Sequence, residues 1–170
     1  MKNSTIIRVV LGGALAIISI IGVQTYWVLN TWSVKEKEFR ERVVVALLNV
    51  AKEFEKLGNQ IPAYDLVTQV TTNYYVVNIN DVINANNLQF FLRRELEAVG
   101  LTEGFEYGIY DCATNKMVYG EYITNSVTDT ALVRNTDLPI YDKFTYYFGV
   151  RFPNRTNQIL SSMGLTVTFS

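Results

Sequence analysis

The chain has 170 residues, with 15 basic and 16 acidic side chains, one cysteine and no histidine. The lack of histidine excludes Ser-His-Asp and Cys-His catalytic arrangements and removes the commonest zinc ligand. The single cysteine, Cys112, excludes an internal disulfide. Hydrophobic residues make up 49% of the chain, and they are concentrated near its N-terminus.

The first predicted element is a transmembrane helix over residues 9–32. Residues 9–34 carry no charge, and a helix of that length rises roughly 39 Å, more than the hydrocarbon core of about 30 Å. A cleaved signal peptide is the alternative, because Lys2 and Arg8 precede the apolar run. We favour an uncleaved anchor, since the run is longer than a signal core of about 7 to 15 residues and no small-residue cleavage site follows it.

The orientation of this anchor follows from its flanking residues. The short leading segment carries Lys2 and Arg8 and no acidic residue, so the positive-inside rule predicts a cytoplasmic N-terminus. Tyr26, Trp27 and Trp32 lie where an outer aromatic belt would contact membrane lipid. Acidic residues outnumber basic ones beyond the anchor, so no nucleic-acid partner is expected.

Helical chemistry continues beyond the anchor to about residue 57. Gly58 and Asn59 are typical of a helix C-terminus, and Pro62 follows shortly after them. An apolar stripe runs along this helix, and its burial against the protein's own sheet is favoured over packing against a second copy. The stripe consists of Val34, Phe39, Val43, Leu47, Val50, Phe54 and Leu57.

The residues after this helix predict a small α+β domain. A short helix is expected at residues 64–70 and strand chemistry at residues 71–79. The segment "LQFFLRRELEAVGL" predicts a second helix that ends at Gly100, and "FEYGIYDC" and "KMVYGEYI" around "ATN" predict a hairpin. A third strand is expected in "KFTYYFGVRF". This order of elements favours helices packed on one face of an antiparallel sheet. The apolar face of the second helix consists of Leu88, Phe91, Leu92, Leu96 and Val99.

Four tyrosines of the predicted hairpin are the candidate ligand-binding residues. Alternation along the first strand places Ile109 on one face and Gly108 on the other. Gly108 and Gly120 lie inside strands, where glycine indicates a bulge or the close approach of another group, such as a ligand. Packing within the core and across the strands is the more common role for such tyrosines, and a small-molecule pocket is the alternative. The four are Tyr107 on the face of Ile109, Tyr110 on the face of Gly108, Tyr119 and Tyr122.

The sequence contains few other residues that indicate a catalytic, metal or cofactor site. The glycines at 100, 104, 108 and 120 do not form a phosphate-binding pattern, so no catalytic residue, metal or cofactor is expected in this chain. Cys112 is interpreted as a packing residue, with oxidant sensing as the alternative. Residues 156–170 contain no charge and no proline, which predicts that residues 159–170 begin a second transmembrane helix that is truncated before it can span.

Two stretches carry a resemblance to a known family. "FEYGIYDCATNKMVYG" at 105–120 and "FGVRFPNRTNQILSSMGL" at 148–165 resemble the extracytoplasmic sensor region of Bacteroidetes-type two-component sensor histidine kinases. The resemblance implies residues 1–8 in the cytoplasm, a PAS-like periplasmic sensor domain over residues 33–158, an inner-membrane location with one or two passes, and a homodimer. It also implies a cytoplasmic part beyond this chain, which would bind ATP and Mg²⁺ and contact a response regulator.

The resulting expectation is that the chain is a signal-input region and is not itself an enzyme. It has no histidine to accept a phosphoryl group and no ATP-binding glycine motif. The stimulus or ligand is unknown from sequence. The alternative is a single-pass, membrane-anchored envelope assembly or structural protein that binds a protein partner, and an extracytoplasmic enzyme is the third reading.

We expect the chain to stay in membrane vesicles after an alkaline carbonate wash, because residues 9–32 provide an integral anchor. N-terminal sequencing of the mature protein should begin at Met1 or Lys2. Release of the chain into the supernatant, or a mature N-terminus beyond residue 32, would contradict the uncleaved anchor.

Overall fold

A computed structural model describes residues 3–111, 116–123 and 138–153 of the chain. The chain divides into two compact units, residues 1–39 and residues 40–170. One helix, α1 (Asn3–Lys56), contributes residues to both units.

Within the first unit, α1 exposes its large apolar side chains. The exposed fraction is 46% for Ile6, and 71% for Trp27. The hydroxyls of Ser19 and Thr25 donate to backbone carbonyls four residues earlier, at 2.9 and 2.8 Å, so these polar groups are satisfied inside the helix. Among the described residues, this one helix is long and apolar enough to cross a membrane, which fits the predicted anchor in length and composition.

Within the second unit, the middle of the predicted apolar stripe is buried. Leu57, at the C-terminal end of the stripe, is 56% exposed, and Val34, at the other end and within the first unit, is 57% exposed, so the stripe is shorter than predicted. The helix ends at Lys56, just before Gly58, as expected: Gly58 has φ +96°, and the amide of Asn59 donates to the carbonyl of Phe54 at 3.1 Å. The buried residues of this part of α1 are Val43, Ala46, Leu47, Val50, Ala51 and Phe54.

Residues 64–70 do not form the predicted short helix. Tyr64 is 86% exposed, and Asp65 has φ +53°, a left-handed conformation that interrupts a helix. The chain then forms strand β1 (Val67–Thr71), which pairs antiparallel with β2 (Tyr74–Asn78). The β-branched residues of β1 find a ladder partner in β2, and this pairing overrides the helical spacing of the apolar side chains.

The second helix, α2 (Ala85–Ala98), is confirmed with four of the five predicted residues of its apolar face, whereas Val99 follows the helix as its C-cap and is half-buried. It begins after Asn84, whose side-chain oxygen accepts hydrogen bonds from the backbone amides of Asn86 and Asn87. It ends before Gly100, which has φ +77°. The ring of Phe91 contacts that of Phe54 edge to face, with 5.4 Å between centroids. This contact packs α2 against α1. The buried residues of α2 are Leu88, Phe91, Leu92 and Leu96.

The predicted hairpin is confirmed as β3 (Phe105–Asp111) and β4 (Lys116–Ile123), and the predicted third strand as β5 (Tyr146–Arg151). The sheet has the order β1-β2-β5-β3-β4, with each neighbouring pair antiparallel. β2, α2 and β3 therefore form a split βαβ unit, in which β5 lies between two parallel strands. The chain is an α+β protein with a small antiparallel sheet.

Both faces of the sheet are covered at its centre, where β2, β5 and β3 lie side by side. Register and alternation assign the central side chains to two sets. The first face carries Tyr74, Val76, Gly108, Tyr110, Tyr147 and Gly149, and the second carries Tyr75, Val77, Tyr107, Ile109, Phe148 and Val150. All twelve residues are buried.

We expect Phe54→Ala to lower the free energy of unfolding by about 3–5 kcal/mol, because the buried ring leaves a cavity between α1 and α2. Leu57→Ala, directly after the same helix, is the matched control, and this exposed position should change stability by less than about 0.5 kcal/mol. Urea unfolding followed by near-UV circular dichroism measures both. Equal effects of the two substitutions would contradict the described burial of α1.

Candidate functional site

The most distinctive region of the second unit is the first face of the sheet, which is covered by residues 138–144. We call this segment the strap. Its two ends, Leu138 and Phe144, are buried in a cluster with side chains of the first face, and Tyr141 packs against the same cluster. The sheet residues of the cluster are Tyr74, Val76, Tyr110 and Tyr147, with Met117 at its edge.

Two glycines make room for this cluster. Gly108 of β3 lies opposite Gly149 of β5. A Cβ atom added at Gly149 would lie 2.8 Å from a ring carbon of Tyr74, and one at Gly108 would lie 2.6 Å from the sulfur of Met117 and 3.0 Å from a methyl of Leu138. The paired glycines therefore form a depression in the sheet, which we call the trough, and neighbouring side chains fill it.

Three tyrosine hydroxyls of the first face form hydrogen bonds with the backbone of the strap. Tyr74 donates to the carbonyl of Pro139 at 2.9 Å, and Tyr110 donates to the carbonyl of Leu138. The hydroxyl of Tyr147 accepts from the amide of Tyr141 at 2.8 Å. The rings of Tyr110 and Tyr147 stack, with 4.8 Å between centroids and 10° between planes. Each hydrogen bond contributes about 0.5–1.5 kcal/mol net, so together they stabilise the strap on the first face.

An ion pair lies on the same face, next to the tyrosines. Nε of Arg151 donates to Oε2 of Glu106 at 2.7 Å, and the Glu106 side chain is 7% exposed. Because the carboxylate is buried, removing Arg151 would leave an uncompensated charge and cost about 3–5 kcal/mol. Burial raises the pKa of Tyr74, and the nearby hydroxyls of Tyr110 and Tyr147 raise it further. Tyr74 therefore stays a neutral hydrogen-bond donor throughout the physiological pH range.

On the second face, two tyrosines share one carboxylate. Tyr119 donates to Oε2 of Glu121 at 2.9 Å, and Tyr107 donates to the same oxygen at 3.4 Å. Burial raises the pKa of Tyr107, and the hydrogen bond with Tyr119 raises it further. Tyr107 is fully buried, whereas Tyr119 is 39% exposed on the edge strand β4. This group is an outer-edge cluster that is separate from the trough.

The structure divides the four predicted tyrosines between different places. Tyr107 and Tyr119 lie together on the second face, with ring centroids 5.8 Å apart, and Tyr110 lies in the trough on the first face. Tyr122 is opposite Glu106 in register, and its ring lies against Gly104. The four residues therefore do not line one pocket, although Tyr107 and Tyr110 occupy opposite faces as alternation predicts.

The sequence pattern does not predict the other residues of the trough as parts of one site. Tyr74 and Tyr147 come from strands far from the hairpin along the chain, and the strap was not recognised at all. A usable signal was present, because aromatic-Gly-aliphatic triplets occur at residues 107–109 and 148–150. The structure pairs these triplets glycine to glycine. Cys112 lies outside the described residues.

Comparisons with known proteins add no further assignment. No protein-family model, no curated protein and no solved structure matches the chain. Within residues 3–111, 116–123 and 138–153, no group of three or more His, Cys, Asp or Glu side chains is arranged to hold a metal ion. The trough, its three tyrosine hydroxyls and the strap are the candidate site of the second unit.

We expect Gly149→Ala to destabilise the protein by about 1–3 kcal/mol, because the added methyl group overlaps the ring of Tyr74. Combining it with Tyr74→Leu should cost at least about 1 kcal/mol less than the sum of the two single changes, since the smaller side chain relieves the overlap. Urea unfolding of the four proteins measures this coupling.

Gly12→Ala is the matched control, because a Cβ at that position meets nothing within 4 Å. It should leave the unfolding of the second unit unchanged. Additive effects of Gly149→Ala and Tyr74→Leu would show that the ring of Tyr74 does not lie over Gly149.

Proposed function

We propose that the chain is the signal-input region of a membrane-bound two-component sensor histidine kinase and transmits an extracytoplasmic stimulus across the membrane. The observation that carries this proposal is the composition of α1. One continuous helix is apolar and exposed over its first half and contributes a buried stripe to a folded α+β unit over its second half.

The exposed apolar half of α1 supports a membrane location. Large apolar surfaces are rare on soluble proteins, and transferring a single Ile or Leu side chain out of water is favourable by about 1.5–3 kcal/mol. Residues 9–34 include no charged side chain that would oppose this transfer. A bilayer is the apolar environment whose thickness fits the length of this segment.

The buried half of α1 supports a signalling role. Val43, Leu47, Val50 and Phe54 are each at most 1% exposed, so a repacking of the α+β unit has to move this part of the helix. Hydrogen bonds along a continuous helix resist bending, and a displacement at one end is then passed along its axis. A ligand that prefers one of two packings of the unit would therefore bias the position of the membrane segment.

The finer expectations from the family resemblance are parts of the same proposal. They are a PAS-like sensor domain, a periplasmic location at the inner membrane, a homodimer, and a cytoplasmic part that uses ATP and Mg²⁺ and contacts a response regulator. The uncharged residues 159–170, which lie outside the described residues, begin a second membrane helix under this proposal. An envelope assembly protein would share the anchor but would have no kinase region.

The genomic reading frame provides the first test. We expect it to continue past Ser170 through about ten more apolar residues and then into a helical hairpin that contains a histidine. A stop codon directly after Ser170 would overturn the receptor proposal and favour the assembly protein.

The second test asks whether α1 acts as a rigid helix in the parent protein. Two alanines inserted between Phe39 and Arg40 rotate the following residues by about 200°, whereas seven alanines restore the phase to within about 20°. We expect the first insertion to change basal histidine autophosphorylation in nanodiscs at least about fivefold, and the second to leave it within about twofold. Wild-type activity in both proteins would contradict transmission through α1.

A further inference from the structure

We propose that the trough is a binding site for a short apolar peptide, and that the strap occupies it as an internal ligand. The site consists of Tyr74, Tyr110 and Tyr147 around the paired glycines Gly108 and Gly149. The use of this site as the sensory input rests on the proposed function, whereas its ability to bind a peptide does not.

The chemistry of the ligand follows from what the strap presents to the sheet. The three tyrosine hydroxyls contact two backbone carbonyls and one backbone amide of the strap. The apolar contacts come from Leu138 and Phe144. The first face thus recognises the backbone of a short segment that turns at Asp142 and Lys143, with an apolar side chain at each end and Tyr141 between them. A peptide from another source that has this pattern would make the same contacts.

The first face also carries a polar side chain, Asn78, whose oxygen forms no hydrogen bond with the strap. Asn78 lies opposite Tyr147 and, by alternation, faces the same side of the sheet as Tyr74. Its side-chain oxygen is buried and has no hydrogen-bond partner in the described part of the chain. An unsatisfied buried acceptor costs about 1–3 kcal/mol. A ligand that places an N–H group there removes this cost, so a ligand can fit the site better than the strap does.

The strap is held by contacts that can be released without opening the sheet. It is part of no strand among the described residues, whereas β2, β5 and β3 pair with one another directly. Ile140 is 57% exposed between the two buried ends. Both side chains of the Lys143–Asp65 ion pair are exposed, with 3.4 Å between Nζ and Oδ2. Such a pair contributes little to the stability of the strap on the sheet. Release of the strap therefore leaves the walls of the trough in place.

The test uses the full chain in nanodiscs and a synthetic, end-capped, fluorescently labelled peptide with the sequence of residues 138–144, "LPIYDKF". Fluorescence anisotropy measures its binding to the wild-type protein and to Phe144→Ala, in which the internal ligand is weakened. We expect the variant to bind the peptide at least about tenfold more tightly than the wild type, because its strap competes less.

Two tyrosine variants identify the site of binding. In a background of Leu138→Ala and Phe144→Ala, in which the strap no longer competes, Tyr110→Phe should weaken peptide binding about five- to tenfold, because it removes a hydroxyl that contacts the peptide backbone. Tyr119→Phe, which removes a hydroxyl on the second face, should leave binding unchanged. Absence of binding by folded Phe144→Ala protein, or an equal loss with both tyrosine variants, would overturn the proposal.

Hydrogen exchange of the wild-type protein gives an independent measurement if Phe144→Ala does not fold. The amide of Tyr141, which donates to Tyr147, should exchange at least about a hundredfold faster than the amide of Phe148 in β5, because the strap opens locally. Equal exchange of the two amides would show that the strap leaves only when the sheet unfolds, and this too would overturn the proposal. Both readouts are independent of kinase activity, so they can succeed or fail separately from the proposed function.

Discussion

The pairing of β5 with two strands at once is the constraint on which the α+β unit depends. Among the described strands, the β1-β2 and β3-β4 hairpins join into one sheet through β5 alone, and an isolated two-stranded hairpin is at best marginally stable in water. The same pairing places Gly149 opposite Gly108 and Arg151 opposite Glu106. The sheet, the trough and the buried ion pair therefore all depend on the position of β5 between the two hairpins.

The elements that could be predicted from the sequence are those whose signals are local. The end of α1 at Gly58, the start and end of α2, and the β3-β4 hairpin each depend on residues within a few positions of the boundary. Residues 64–70 were predicted wrongly, because a short apolar run fits a helix and a strand equally well. Pairing with β2 makes residues 67–71 a strand, and the left-handed conformation of Asp65 interrupts a helix. The spacing of the apolar residues predicts neither feature.

The candidate site was predicted poorly for the same physical reason. The four tyrosines were grouped because they are close along one hairpin, yet alternation necessarily divides neighbouring side chains between two faces. Tyr110 is the one member of that group in the trough, where it meets Tyr74 and Tyr147 from β2 and β5. Register across three strands determines this grouping, and register depends on the insertion of β5. No pattern within a single segment contains that information.

If the strap is an internal ligand of the trough, as proposed, its stability also determines the concentration at which an external peptide binds. The apparent affinity of a site that is open for only a fraction of the time falls by that fraction, so a strap released about 1% of the time weakens binding about a hundredfold. The stability of the strap is therefore a direct control on sensitivity. Substitutions at the buried strap residue Phe144 change this threshold without altering the trough, because they leave the tyrosine hydroxyls and the paired glycines unchanged. Under the proposed function, the stability of the strap can therefore set the response to a weaker or stronger stimulus while the residues that contact the ligand stay the same.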